Sequence, residues 1–135
     1  AEKYGLVFVN DSKATNVGAT ESAIAGLARD YSSITLIAGG EGKGADFSAL
    51  AKVIDERVDL LILIGRDGAL IAEGVTDKSR VLFAGSLDEA VELAVKTSRK
   101  GSLVLLSPAC ASFDMFKSFE DRGEQFITAV ERMVA

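Results

Sequence analysis

Residues 60–64 read Leu-Leu-Ile-Leu-Ile, five apolar side chains in succession, and Gly65-Arg66-Asp67-Gly68 follows at once. A strand with one wet face alternates apolar and polar residues. An unbroken run of strand length bounded by a glycine turn fits a strand covered on both sides. Leu6–Val9, Ile34–Ala38, Val81–Phe83 and Leu103–Leu106 repeat the pattern. Between these runs lie stretches with helical spacing: Val17–Ala28, Phe47–Ile54, a short one near Gly68–Glu73, one from Ser86 or Leu87 to Thr97, and Glu120–Val134. Asp88 and Glu89 near the start of the fourth and Lys96 near its end match the helix dipole. Thr15 or Asn16 is an N-cap candidate for the first, and Asp46 for the second.

Strands alternating with helices predict an α/β fold: a Rossmann-like three-layer sandwich with a mostly parallel sheet of about six strands. The 135 residues suffice for one domain, and no linker, repeat or low-complexity tract divides them. Apolar residues at 48% and charged residues at 26% argue for a packed core rather than disorder. No apolar run approaches the ~18 residues of a membrane span, and Ala1–Gly5 lacks a signal-peptide pattern, so a cytoplasmic location is expected. Cys110 is the single cysteine and histidine is absent, which excludes an internal disulfide and makes a structural zinc site untenable. A net charge of −5 without a Lys/Arg cluster argues against nucleic acid.

Ligands of such folds bind beyond the carboxyl ends of the strands. Four loops therefore matter. Asn10-Asp11-Ser12-Lys13-Ala14-Thr15-Asn16 is either a solvated turn with a cap, or an anion site built from Lys13, the Thr15 hydroxyl and a helix N-terminus. In the second reading Asp11 faces a ribose hydroxyl or a metal ion. Gly39-Gly40-Glu41-Gly42-Lys43-Gly44 is glycine-rich enough for close approach to a ligand, with Lys43 as a cation for a carboxylate. It fails the G-x-x-x-x-G-K-[ST] pattern, because Gly44 is followed by Ala45. No G-x-G-x-x-G follows any strand, which disfavours a nicotinamide or flavin role. Arg66 reads best as a solvated turn charge. Ser107-Pro108-Ala109-Cys110-Ala111-Ser112 then runs into Phe113, Phe116 and Phe119. With no histidine to act as base, Cys110 reads as a buried thiol and Ser112 as a binding hydroxyl. The residues describe a domain that holds an acidic small molecule, with phosphoryl-transfer machinery lacking.

Three segments carry a resemblance: NDSKATN at 10–16, GGEGKGADF at 39–47 and LLSPACASFDMFKSFEDRGEQF at 105–126. In identity, order and spacing they resemble the C-terminal domain of the Mur ligase family, over essentially the whole chain. The resemblance implies about one third of a three-domain cytoplasmic enzyme. That enzyme would add D-glutamate to UDP-N-acetylmuramoyl-L-alanine, using ATP and Mg²⁺, through an acyl phosphate. The P-loop and metal ligands would belong to a central domain, and the UDP substrate to an N-terminal one. By motif position, Thr15, Lys43, Ser112, Phe113 and Phe119 would form the D-glutamate pocket, with Asp11 and Lys13 on the nucleotide side and Phe116 in the core. The family's hinge, with an arginine facing ATP, would precede Ala1. The competing expectations are a sibling ligase with another amino acid and a free-standing small-molecule-binding module.

Overall fold

A computed structural model describes residues 2–3, 5–112 and 114–133, with backbone alone at 2–3. Its strands are β1 (Glu2–Lys3), β2 (Leu6–Asn10), β3 (Ile34–Gly39), β4 (Leu60–Ile64), β5 (Val81–Phe83) and β6 (Leu103–Leu106). Its α-helices are α1 (Val17–Leu27), α2 (Ser48–Arg57), α3 (Gly68–Ala72), α4 (Leu87–Thr97) and α5 (Phe119–Arg132). The sheet order is β1-β2-β6-β3-β4-β5. Five strands, β2 to β6, run parallel; β1 pairs antiparallel with β2 over two residues at the edge. The doubly wound α/β architecture agrees with the expectation, with five full strands and a two-residue sixth. Nothing in the apolar pattern announces β1, since two residues are too few to show a period.

The quoted run at 60–64 shows why both faces are dry. Leu61 and Leu63 point to one side, packed with Ile24 of α1, Leu50 and Ile54 of α2 and Ile71 of α3. Leu60, Ile62 and Ile64 point to the other, packed with Ala90 and Val91 of α4 and Phe126 and Val130 of α5. Burying one such side chain contributes roughly 1.5–3 kcal/mol, so these alternating layers dominate stability.

Helix starts follow local chemistry. Asn16 caps α1 through Ala19 N, Ser86 caps α4 through Glu89 N, and Ser118 caps α5 through Asp121 N. The second helix departs from expectation at both ends. Phe47 holds the N-cap position without a side-chain bond, and Asp46 sits one residue earlier, where its Oδ1 accepts from Ser48 N and Oγ at 2.9 and 2.6 Å. The helix also runs three residues past Ile54.

Chain order places the site. The path β2-α1-β3-α2-β4-α3-β5 keeps its helices on one face; α4 and α5 cover the other, and β6 inserts between β2 and β3. The chain leaves β2 and β3 toward one face and β6 toward the opposite one. In folds of this kind ligands bind where connections from neighbouring strands diverge in this way.

Candidate functional site at the carboxyl ends of β2, β6 and β3

The loop after β6 is the hub. Ala109 N donates to Ala14 O at 3.0 Å, joining it to the loop after β2. Ala111 and Glu41 exchange two backbone bonds, 2.9 and 3.0 Å, joining it to the loop after β3. Gly39 N donates to Pro108 O as well. Three segments far apart in sequence thus meet at one end of the sheet, and Thr15, Lys43 and Ser112 each lie one or two residues from a bonded position. Lys13, Thr15 and Lys43 are exposed, whereas Ser112 is buried. Phe119 opens α5 with 40% of its surface exposed, while Phe116 packs against the inner cluster. Phe113 lies outside the described residues.

Among the described residues two that are not glycine adopt left-handed backbone, Lys43 at φ 51° and Ala109 at φ 61°. Both lie in these loops. Such conformations cost of order 1 kcal/mol and persist where surrounding bonds over-determine them, often at ligand sites.

The glycines of the second loop do something other than open space for a ligand. A Cβ on Gly39 would stand 2.0 Å from Ile64 O, and one on Gly40 would stand 2.4 Å from Ala111 O. One on Gly42 would meet the Phe47 ring at 3.0 Å. These three let neighbouring strand ends and side chains pack closely. Only around Gly44, among the four, is there nothing within 4 Å.

Asp11 is half-buried and aimed. Its Oδ2 accepts from Ser107 Oγ at 2.8 Å, and Ser107 is itself fully buried against Thr20, whose hydroxyl donates to Ser107 O at 3.0 Å. Nothing in the sequence marks Ser107 and Thr20, because serine and threonine near strand and helix ends are too common to signal a role. Nor does it mark Arg122, which is 0% exposed. Gly123 beside it was the available clue: a glycine inside a helical pattern often marks close packing. A Cβ there would sit 2.8 Å from Asn10 Nδ2 and 3.2 Å from Ser12 Cβ.

Burial pushes the Cys110 thiol up to about 12, outweighing the nearby Arg122 charge, so no nucleophilic thiolate is available at neutral pH. Arg66 is 63% exposed in its side chain, 3.8 Å from Glu41 and 3.7 Å from Asp67, in keeping with a solvated turn charge. Among the described residues no group of three or more Cys, Asp or Glu gathers as a metal cage. Among the described residues no helix is long and apolar enough to cross a membrane.

Fold and loops together define a doubly wound α/β domain whose polar loops are bonded together at the switch point. Residues 1–110 match the family model described as Mur ligase, glutamate ligase domain, and the chain belongs to the Mur ligase family. It is similar, at 56% identity over 131 residues, to a UDP-N-acetylmuramoylalanine–D-glutamate ligase of Teredinibacter turnerae, covering 97% of this chain and 29% of the relative. A ligase of the same name from Saccharophagus degradans is 48% identical over all 135 residues, which are 30% of its length. The chain therefore spans about three tenths of these curated relatives. Its fold also matches a MurF ligase from Thermotoga maritima solved with ADP, at TM-score 0.65 and 18% identity, over 98% of this chain and 29% of that one.

Proposed function

We propose that this chain is the amino-acid-binding domain of a cytoplasmic ATP-dependent ligase that adds D-glutamate to UDP-N-acetylmuramoyl-L-alanine in peptidoglycan synthesis. The observation that carries the reading is the convergence of the three loops on the Ala109–Ala14 and Glu41–Ala111 bonds, which brings the lysine-bearing loops to either side of the Ser112 loop. Identity of 48 to 56% to relatives of that name supports the choice of amino acid over a sibling ligase.

In this reading Lys43 pairs with a carboxylate of D-glutamate. The Thr15 and Ser112 hydroxyls hydrogen-bond to the amino acid, and Phe113 and Phe119 wall the pocket. Asp11, held by Ser107, and Lys13 face the nucleotide. ATP and Mg²⁺ are used by the whole enzyme, with the metal and phosphate-cradling groups supplied outside this chain; the amine of the amino acid held here attacks an acyl phosphate formed there, and the new amide C–N bond replaces the acyl C–O bond as inorganic phosphate and the amine proton leave. Lysine suits the first role as a compact charge at the tip of a turn, where it adds attraction without demanding one planar geometry. Presented alone, the domain orients an amino acid and forms no amide.

In the whole ligase, Lys43→Ala should raise KM for D-glutamate by about ten- to a hundredfold, the worth of a charge-assisted bond of roughly 1.5–3 kcal/mol. KM for the UDP substrate should stay within about twofold of its starting value, because uniform effects come only from shared contacts. Equal rises for both substrates would refute the assignment of Lys43, and amide formation by the domain unaided would refute the division of labour.

A further inference from the structure

Among the described residues Arg122 is the largest side chain with no exposed surface, and the proposed chemistry does not use it. Its fork is spent on the site loops. Nε donates to Ser12 Oγ at 2.9 Å, Nη2 to Ser12 O at 2.6 Å and Nη1 to Cys110 O at 3.0 Å. Ser12 Oγ in turn donates to Phe119 O at 2.6 Å. Ser12 stands between Asp11 and Lys13; Cys110 stands two residues before Ser112; Phe119 begins the helix that carries the arginine. One guanidinium therefore joins every element to which a ligand role has been given, apart from the Lys43 turn.

The chemistry of the partners sharpens the point. Arg122 makes no ion pair within 4.0 Å among the described residues, and all three acceptors are neutral oxygens. Burying a guanidinium is costly, and an apolar residue of similar volume commonly does as well for stability alone. The cost shows in its proton affinity, which burial pulls down to about 10, although it stays charged at neutral pH. What a planar fork offers beyond an apolar residue is fixed direction toward several acceptors at once. Gly123 keeps that lever short by letting the helix backbone rest on Asn10 and Ser12.

We infer that Arg122 is a positioning residue: by clamping Ser12 and Cys110 it holds the Asp11–Lys13 loop, the Ser112 loop and Phe119 at fixed spacing, so that nucleotide and amino acid are presented to one another in register. The inference rests on the proposed ligase function, and the experiment separates the two.

In the whole ligase, steady-state kinetics would compare Arg122→Met, Arg122→Lys, Ser12→Ala and Lys43→Ala, each normalised to the folded fraction measured by thermal unfolding. A clamp that only stabilises the fold would lower the active fraction and leave KM unchanged. As a positioning residue, its loss in Arg122→Met should raise KM for both D-glutamate and ATP by about tenfold or more, within the hundredfold that a misplacement of ~1 Å can cost. KM for the UDP substrate should not move. Arg122→Lys, with one donor group in place of a fork, should fall between, and Ser12→Ala should shift the same two constants less. Unchanged KM values for both ligands in folded Arg122→Met overturn the inference; should that variant fail to fold, unchanged values in Ser12→Ala overturn it. If Lys43→Ala leaves KM for D-glutamate unmoved, the ligase reading fails, whatever Arg122 does.

Discussion

The loops after β2 and β3 each carry an exposed lysine, and they are built in opposite ways. In the first, anchoring runs through the middle. Asp11 N continues the sheet by bonding Leu106 O, Ser12 is gripped by Arg122, and Ala14 is buried against Ala109. Lys13 stands on that platform between two fixed neighbours. The second is bonded at its base, by the Glu41–Ala111 bridge and by Gly42 N donating to Asp67 Oδ2 at 2.8 Å, and its turn is closed by Ala45 N donating to Gly42 O at 3.0 Å. The tip, Lys43-Gly44, turns through two consecutive left-handed residues, φ 51° and 74°. A rigid shelf suits a group that must hold register with a neighbour. A tip suits one that closes on a ligand.

Glycine substitutions probe base against tip most strongly. Gly39→Ala sets a Cβ 2.0 Å from a backbone oxygen at φ 117° and should cost about 3 kcal/mol in urea unfolding. Gly44→Ala meets nothing within 4 Å and carries only the left-handed penalty, about 1 kcal/mol. Equal losses would erase the distinction between a packed base and an open tip.

The hub between the loops can be tested by pH. Cys110 has its thiol pushed from an ordinary 9.0 up to about 12, so the folded chain holds that proton more tightly than the unfolded one. The stability it contributes is whole below pH 9 and is lost as pH rises toward 12. Arg122 acts with the opposite sign, since its folded value is lowered from 12.5 to about 10 and its effect starts only near there. Between pH 9 and 10 the thiol dominates, and comparison with Cys110→Ala subtracts the Arg122 contribution. The chain should lose about 1 kcal/mol over that unit relative to Cys110→Ala, read from denaturant titrations at each pH. A flat difference would mean that water reaches the thiol.

The smallest expected effect concerns the lysines themselves. Lys13→Ala and Lys43→Ala should each change stability by less than about 0.5 kcal/mol, because both side chains are exposed. A larger loss for Lys13 would tie it into the shelf as a structural member and sharpen the contrast further.

Much of this molecule is written locally. Five apolar runs, interrupted only by Thr35, announce a sheet covered on both faces, and Asn16 and Ser86 announce their helices by a side chain that bonds three residues ahead. The four loops worth reading followed from the rule that parallel strands present ligands at their carboxyl ends. Strand order was not written there, because β6 enters between β2 and β3 only when the whole chain closes. Asp46 sits one residue before the place its cap pattern suggested, since tertiary packing of Phe47 sets where α2 begins.

The sequence alone therefore determined the layers, the starts of α1 and α4 and the segments that matter, all properties that depend on a few neighbouring residues and their periodicity. Tertiary structure alone decided how those segments are held. An arginine in a charged helical stretch, Glu-Asp-Arg-Gly-Glu, reads as surface, since arginines are almost never fully buried. It turns inward here because Ser12, 110 residues earlier in the chain, and Cys110 offer it three oxygens in one plane of reach. Gly39 and Gly40 read as freedom for a ligand and prove to be room for Ile64 and Ala111. Those partners are brought near only by pairing across the sheet, and no window of sequence contains both sides of such a contact.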